Sequence, residues 1–340
     1  MSRLAELTDE YKSLGIPDQI DYDKLYLYSI ITHSTAVEGS TVTELENRLL
    51  FDEGITPNKP LVEQLMNIDL KRAYEEAIAL AKMNQDYSIK LLCHLSSLVM
   101  KNTGSDYNTA IGSFSSANGD LRLLNVTAGR GGKSYMSYQK VPKRLEDYCD
   151  WLNGQRKTVL REDIDKVYEL SFMAHYNLVY IHPWADGNGR MARLVMNMIQ
   201  AELGVIPSIV KEEVRSEYIK TLAAAQDSSD AKVFVDFMIK HHEKNLQKSI
   251  QEYRVSIEND TLNLKNDTLN DTLNLSVKEK TVIDCISKNN DISISEIVDK
   301  TGFSRPTVTR IISSLKEKQI LFREGAKKNG HWVIRFGGLD

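Results

Sequence analysis

Residues 182–193 read His-Pro-Trp-Ala-Asp-Gly-Asn-Gly-Arg-Met-Ala-Arg, a stretch dense in groups that can do chemistry. The neutral imidazole of His182 near pH 7 is suited to take a proton from an incoming hydroxyl, an effect worth roughly 10² to 10⁴ in rate. Gly187 and Gly189 let the backbone turn tightly and bring the free N–H groups of a helix start against a bound oxyanion, where side chains would block the approach. Arg190 and Arg193 stand three apart, hence on one helix face, and this spacing predicts a grip on two successive phosphates. Asp186 is a hard oxygen donor suited to Mg²⁺ bridging those phosphates. The set spells phosphoryl-type transfer. An ordinary helix-turn-helix with a capping histidine would have to gather all these groups within twelve residues by accident.

Several elements must position this loop. Ile164, Val167, Leu170, Ser171, Ala174, Leu178 and Val179 recur at three- and four-residue intervals, which predicts a helix that ends just before His182, with the next one starting near Asn188. His175 lies on the same predicted face seven residues earlier and reads as a core histidine. Between Gly112 and Val141, repeated glycines punctuate short runs such as LRLLNV and YMSYQKV, the pattern of a β-hairpin flap.

At 340 residues, with 41% hydrophobic and 26% charged residues, the chain predicts two folding units in water and excludes collagen-like and disordered classes. A net charge of −4 is too balanced for a polycation, so any basic patch must be local. Cys93, Cys149 and Cys285 form no C-x-x-C pair, which argues against a zinc site or a disulfide framework. No apolar run is long enough to span a bilayer, and the opening MSRLAELTDEYKSLG lacks a secretory core, so a cytoplasmic location without membrane partners is the expectation.

Three NDTLN copies between Asn259 and Leu275, the last two sharing Asn270, read as a low-complexity linker, because Asn, Asp and Thr compete with helix through local backbone bonds. The expected division is therefore 1–110, 111–250, a linker at 251–275, and 276–340. The last segment holds twelve Lys and Arg against eight Asp and Glu. Its order of helix, helix, turn, helix and two strand-like runs around Lys327, Lys328 and Gly330 resembles a winged helix-turn-helix. Arg305, Thr307, Thr309 and Arg310 lie on its presumed recognition helix, which makes DNA a candidate partner.

The 182–193 stretch resembles the signature of the Fic family, H-x-F-x-(D/E)-G-N-G-R-x-x-R, with Trp184 at the usual Phe position. That resemblance, over about residues 20–245, implies a mainly α fold with a β-hairpin flap, joined here to a small winged helix. It also implies transfer of AMP from ATP to a Ser, Thr or Tyr hydroxyl of a target protein. Carried over by position, His182 is the general base, Asp186 the Mg²⁺ ligand, and Gly187, Asn188, Gly189, Arg190, Met191, Ala192 and Arg193 the ATP-binding turn. Ser34 to Gly39 (Ser-Thr-Ala-Val-Glu-Gly) matches the family's inhibitory signature at the end of a predicted helix from about Tyr22, which implies that Glu38 pairs with Arg193 where the γ-phosphate belongs. The family flap docks targets through main-chain bonds, and the chain itself is a further implied substrate. Tyr218, in a Glu-Tyr-Ile run, is a pocket candidate beside a core-aromatic reading. Two alternatives stay open: removal of AMP by the same site, or a nucleotide-responsive DNA-binding regulator.

Overall fold

The computed structural model describes residues 2–128, 134–267, 276–318, 320–324 and 331–334. The chain divides into two compact units, 1–253 and 254–340. Ten helices carry the first: α1 (Arg3–Ser13), α2 (Tyr22–Val37), α3 (Glu44–Glu53), α4 (Leu61–Lys82), α5 (Ile89–Val99), α6 (Val141–Thr158), α7 (Ile164–Ile181), α8 (Asn188–Glu202), α9 (Arg215–Ser228) and α10 (Lys232–Asp267), the last running on into the second. A short hairpin, β1 (Asp106–Thr109) and β2 (Gly112–Ser115), lies between α5 and α6.

α8 is the axis of the first unit. From Met191 to Ile199 its apolar side chains are almost entirely buried, so it is enclosed on all sides rather than presenting one stripe. It packs chiefly against α7 and α4, whose Phe172, Leu178, Leu70 and Ala73 share that core. Two buried polar residues on α8 are fully engaged: Asn197 accepts from Tyr74 Oη at 2.8 Å and donates to the Ser208 carbonyl, while Gln200 donates to Ser171 and Ser208. Such bonds fix one register, because a buried amide left unpaired costs about 1–3 kcal/mol.

α2 is pinned by a buried amide network. Asn67 of α4 accepts from Thr35 Oγ1 and from Asn47 Nδ2, each at 2.8 Å, while the same Asn47 nitrogen donates to Thr32. Asn67 also donates to the Ser40 hydroxyl and the Glu63 carbonyl. These bonds tie α2, α3 and α4 together one turn below Glu38, the C-cap of α2.

The flap differs from its sequence expectation. The paired strands are 106–109 and 112–115, largely ahead of the glycine-rich span. LRLLNV and YMSYQKV are not strands: a single bridge joins Thr127 and Ser134, Tyr135 N–H donates to the Val126 carbonyl, and Tyr138–Lys140 is a 3₁₀ turn. The physical reason is side-chain capture, since the buried Arg122 takes the carbonyls of Leu124 and Met136 that a ladder would need. Residues 129–133, most of the expected insertion, lie outside the described residues.

α10 also runs through the first part of the linker expected at 251–275, past Asn259 and on to Asp267; residues 268–275 lie outside the described residues. Propagating an existing helix adds a backbone bond per residue without a new nucleus, which offsets the poor propensity of Asn, Asp and Thr.

The second unit contains α11 (Val277–Lys288), α12 (Ile294–Thr301), α13 (Arg305–Glu317) and an antiparallel pair, β3 (Leu321–Glu324) and β4 (His331–Ile334). Val282, Ile286, Ile297, Val308, Leu315 and Trp332 form its own core. The expected basic turn with Lys327, Lys328 and Gly330 lies outside the described residues. Glu279 is a lock that sequence reading did not single out: it closes the capping box with Ser276 and accepts from Ser314 and from Lys318 at 2.8 Å, joining α11 to α13.

Burial works against the Glu279 charge, but Lys318 and the Ser276 and Ser314 bonds outweigh it and draw the carboxyl down to about 2. A depressed carboxyl stabilises the fold fully above its ordinary value of 4.5, and that stability is lost as pH falls toward 2. Glu279→Gln is expected to destabilise the second unit by about 2 kcal/mol at pH 7 and to flatten its stability between pH 5 and 2, read by calorimetry of the full chain. An unchanged transition at pH 7 would contradict this.

Candidate active site

His182 caps the C-terminus of α7 at φ 52°, a left-handed backbone that a non-glycine residue adopts only when its surroundings impose it. Those surroundings are visible: its N–H donates to the Leu178 carbonyl at 3.0 Å, and its carbonyl accepts from Arg122 Nε at 2.7 Å. The imidazole lies under the Tyr135 ring, with centroids 3.7 Å apart and planes at 15°. Burial, with the Arg122 charge adding to it, pushes its pKa down to about 4, so the ring is neutral at pH 7.

The loop from Pro183 to Gly187 is held by its own residues. Trp184 is fully buried and donates through Nε1 to the Gly119 carbonyl at 3.0 Å. Asn188 accepts from the Trp184 N–H and donates back to the Trp184 carbonyl, closing the turn. Gly187 stands at φ 81°, and a Cβ there would meet Met100 Sδ at 2.7 Å, so both the conformation and the space require glycine. α8 then starts at Asn188 with its first N–H groups uncapped by any Gly187 side chain.

A carboxylate lies against that start. Glu38 Oε1 accepts from Arg193 Nη2 at 2.6 Å, and a Cβ added at Gly189 would lie 2.5 Å from the same oxygen. Arg193 is buried, and it donates further to the Ser34 hydroxyl at 2.8 Å and the Ser34 carbonyl at 2.9 Å. Burial opposes the charge on Glu38, yet Arg193, with Arg190 and Arg215 beyond it, holds its carboxyl below the usual range. Arg193 likewise stays charged despite burial because Glu38 faces it.

Glu38, His182, Gly189, Arg193 and Tyr218 line one cleft of about 420 Å³, closed by Tyr135 and Ala128 of the flap and by Ile219, Leu222 and Gln226 of α9. Arg190 lies apart from these. Its guanidinium is buried against Met100 Sδ at 3.0 Å and sits 3.8 Å from Asp186, and its Nε has no partner. Asp186 is largely exposed and accepts from the Gly187 N–H. Met191 and Ala192 are fully buried core residues.

Three contributors escaped sequence reading. Arg122 reads in sequence as one more charge in a loop. Tyr135 reads as a flap aromatic. His175 is a core histidine as expected, but it bonds Tyr218 Oη at 2.8 Å, and that hydroxyl faces the Arg193 guanidinium. Its seven-residue spacing from His182 carried no sign of this partner. His241 and His242 bond the Ile209 carbonyl and Tyr168 Oη, and among the described residues no cluster of three metal-ligating side chains occurs.

Comparison with known proteins identifies two families along the chain. Residues 86–200 match the Fic/DOC family, and residues 275–321 match a winged helix-turn-helix DNA-binding family. The protein adenylyltransferase fic-1 of Caenorhabditis elegans is 31% identical over 238 residues, 69% of this chain and 42% of that protein. The protein adenylyltransferase Fic of Nematostella vectensis is 29% identical over 219 residues, 64% of this chain and 47% of that protein. The chain thus spans less than half the length of these two curated relatives. Among solved structures, residues 134–508 of C. elegans Fic-1 superpose with a TM-score of 0.60 at 26% identity, covering 75% of this chain and 72% of that one. A Fic family protein from Desulfovibrio desulfuricans G20 shares the fold over 100% of this chain and 98% of its own, with a TM-score of 0.58 at 19% identity. The chain therefore carries a Fic domain built around His182 and the 186–193 turn, followed by a winged helix-turn-helix domain.

Proposed function

We propose that this chain is a protein adenylyltransferase restrained by its own Glu38. The observation that carries the reading is the Glu38 carboxylate held by Arg193 at 2.6 Å against the first turn of α8, across the cleft from a neutral His182. A helix start with free N–H groups and a buried guanidinium beside it favours anions, and the carboxylate stands in for a phosphate of ATP. The similarity to protein adenylyltransferases of Caenorhabditis elegans and Nematostella vectensis supports the same reaction class.

In the proposed reaction a target Ser, Thr or Tyr hydroxyl docks beside the flap and attacks the α-phosphorus of ATP. His182 takes the hydroxyl proton, the bond to the bridging oxygen breaks, and pyrophosphate leaves. Backbone N–H groups at Asn188 and Gly189 and the Arg193 guanidinium stabilise charge on the phosphates, where positioning and electrostatics supply most of the acceleration. Arg190, with one nitrogen unpartnered, is the further cation beneath the loop. Asp186 would hold a Mg²⁺, since one exposed carboxylate is a sufficient protein anchor for that ion. Mg²⁺ there would neutralise phosphate charge.

A second activity is proposed for the other unit. Arg305, Thr309 and Arg310 are exposed on α13, with Arg305 Nη1 also bonded to Ser295 Oγ at 3.3 Å, and the match to a DNA-binding family supports duplex contact. Arg305→Ala combined with Arg310→Ala is expected to weaken binding of duplex DNA and to lower its salt slope by about two, measured by fluorescence anisotropy. Retained affinity would remove α13 from the interface.

For the enzyme, Glu38→Gly is expected to raise AMP incorporation into protein by roughly 10- to 150-fold, the range of a charge-assisted bond of about 1.5–3 kcal/mol. His182→Ala in that background is expected to lower it by roughly 10² to 10⁴ while ATP still binds. Equal incorporation in either comparison would reject the corresponding role. With Glu38 absent, the acid limb of kcat/KM is expected well below pH 6, because His182 holds no proton until near pH 4. A limb near 6.5 would mean that another group is the base.

A further inference from the structure

Arg122 is 1% exposed, and its guanidinium donates to main-chain oxygens rather than to a carboxylate. Nε donates to the His182 carbonyl at 2.7 Å, Nη1 to Leu124 at 2.8 Å and Nη2 to Met136 at 2.6 Å. Its own backbone N–H donates to the Pro183 carbonyl at 3.0 Å. One rigid guanidinium thus joins three stretches of backbone: the outgoing arm of the flap, its returning arm and the loop that begins at His182. A planar fork of donors fits three carbonyls at once, which a lysine ammonium on a flexible stem does not reproduce.

What it holds is unusual. His182 has a positive φ, so the direction in which the imidazole projects depends on what secures its carbonyl. Tyr135, whose ring covers that imidazole, is the neighbour of Met136, whose carbonyl the same guanidinium binds. We infer that Arg122 is a positioning residue for the transfer reaction, setting the His182 backbone and the Tyr135 cover together so that the base and the flap keep one mutual geometry. Its carbonyl bonds also explain why the flap arms forgo a β-ladder. The inference rests on the proposed role of His182 as base, and its test separates the two.

Arg122→Lys and Arg122→Gln are made in the Glu38→Gly background, with folding checked by thermal unfolding. Both are expected to lower kcat for AMP incorporation at least about tenfold while the KM for ATP stays within twofold, because loss of reacting geometry acts on the chemical step and not on nucleotide binding. A second reading needs no activity. In NMR spectra of histidine-labelled protein, the His182 ring protons are expected to be shifted upfield by the stacked Tyr135, a shift identified by its loss in Tyr135→Leu, and to lose it in both Arg122 variants. Folded variants that keep kcat and the upfield shift would overturn the inference, as would failure of both variants to fold, which would make Arg122 a purely structural residue. Absence of AMP transfer in the parent with a shift that still depends on Arg122 would reject the proposed reaction and leave the positioning role standing.

Discussion

The contact between Glu38 and Arg193 organises the candidate site. Two chain segments 155 residues apart meet there, and the buried charge of Arg193 is balanced by the Glu38 carboxylate. The contact is asymmetric. Arg193 has two further bonds to Ser34 and is buried within α8, whereas the Glu38 side chain remains 36% exposed and has Arg193 as its close partner. The guanidinium is a fixed part of the cleft, while the carboxylate is the less constrained of the two partners.

This asymmetry gives meaning to the surrounding packing. The amide network of Asn47 and Asn67 holds α2 so that its last residue reaches the start of α8. Arg215 donates to the Val37 carbonyl and secures the same end from α9. Tyr218, between His175 and Arg193, keeps the guanidinium from turning into the core.

The site was legible in sequence to the extent that its chemistry is local. His182, the Gly187 to Gly189 turn and Arg193 are read from twelve consecutive residues, helix periodicity placed the end of α7, and the start of α8 was expected at Asn188, where it occurs. Glu38 followed from a second short signature. What periodicity cannot carry is a partner distant in the chain: Arg122 is sixty residues from the carbonyl it binds, and His175 is forty-three from Tyr218. The strands expected in the flap were misread for the same reason, because glycine spacing marks turns but does not say that an arginine side chain will satisfy carbonyls in place of a neighbouring strand. In the second unit, sequence order sufficed for the arrangement of three helices and a strand pair, while the Glu279 lock depends on Lys318, thirty-nine residues away.

The claim that Glu38 occupies a seat made for phosphate is independent of which protein is modified. Calorimetric titration of inorganic pyrophosphate into the wild-type chain and the Glu38→Gly chain measures that seat with no chemistry involved. Removing the carboxylate is predicted to tighten pyrophosphate binding by roughly tenfold or more, the equivalent of about 1.4 kcal/mol. Equal affinity for the two proteins would mean that the carboxylate and the anion do not share a position, and the account of a self-restrained site would be wrong.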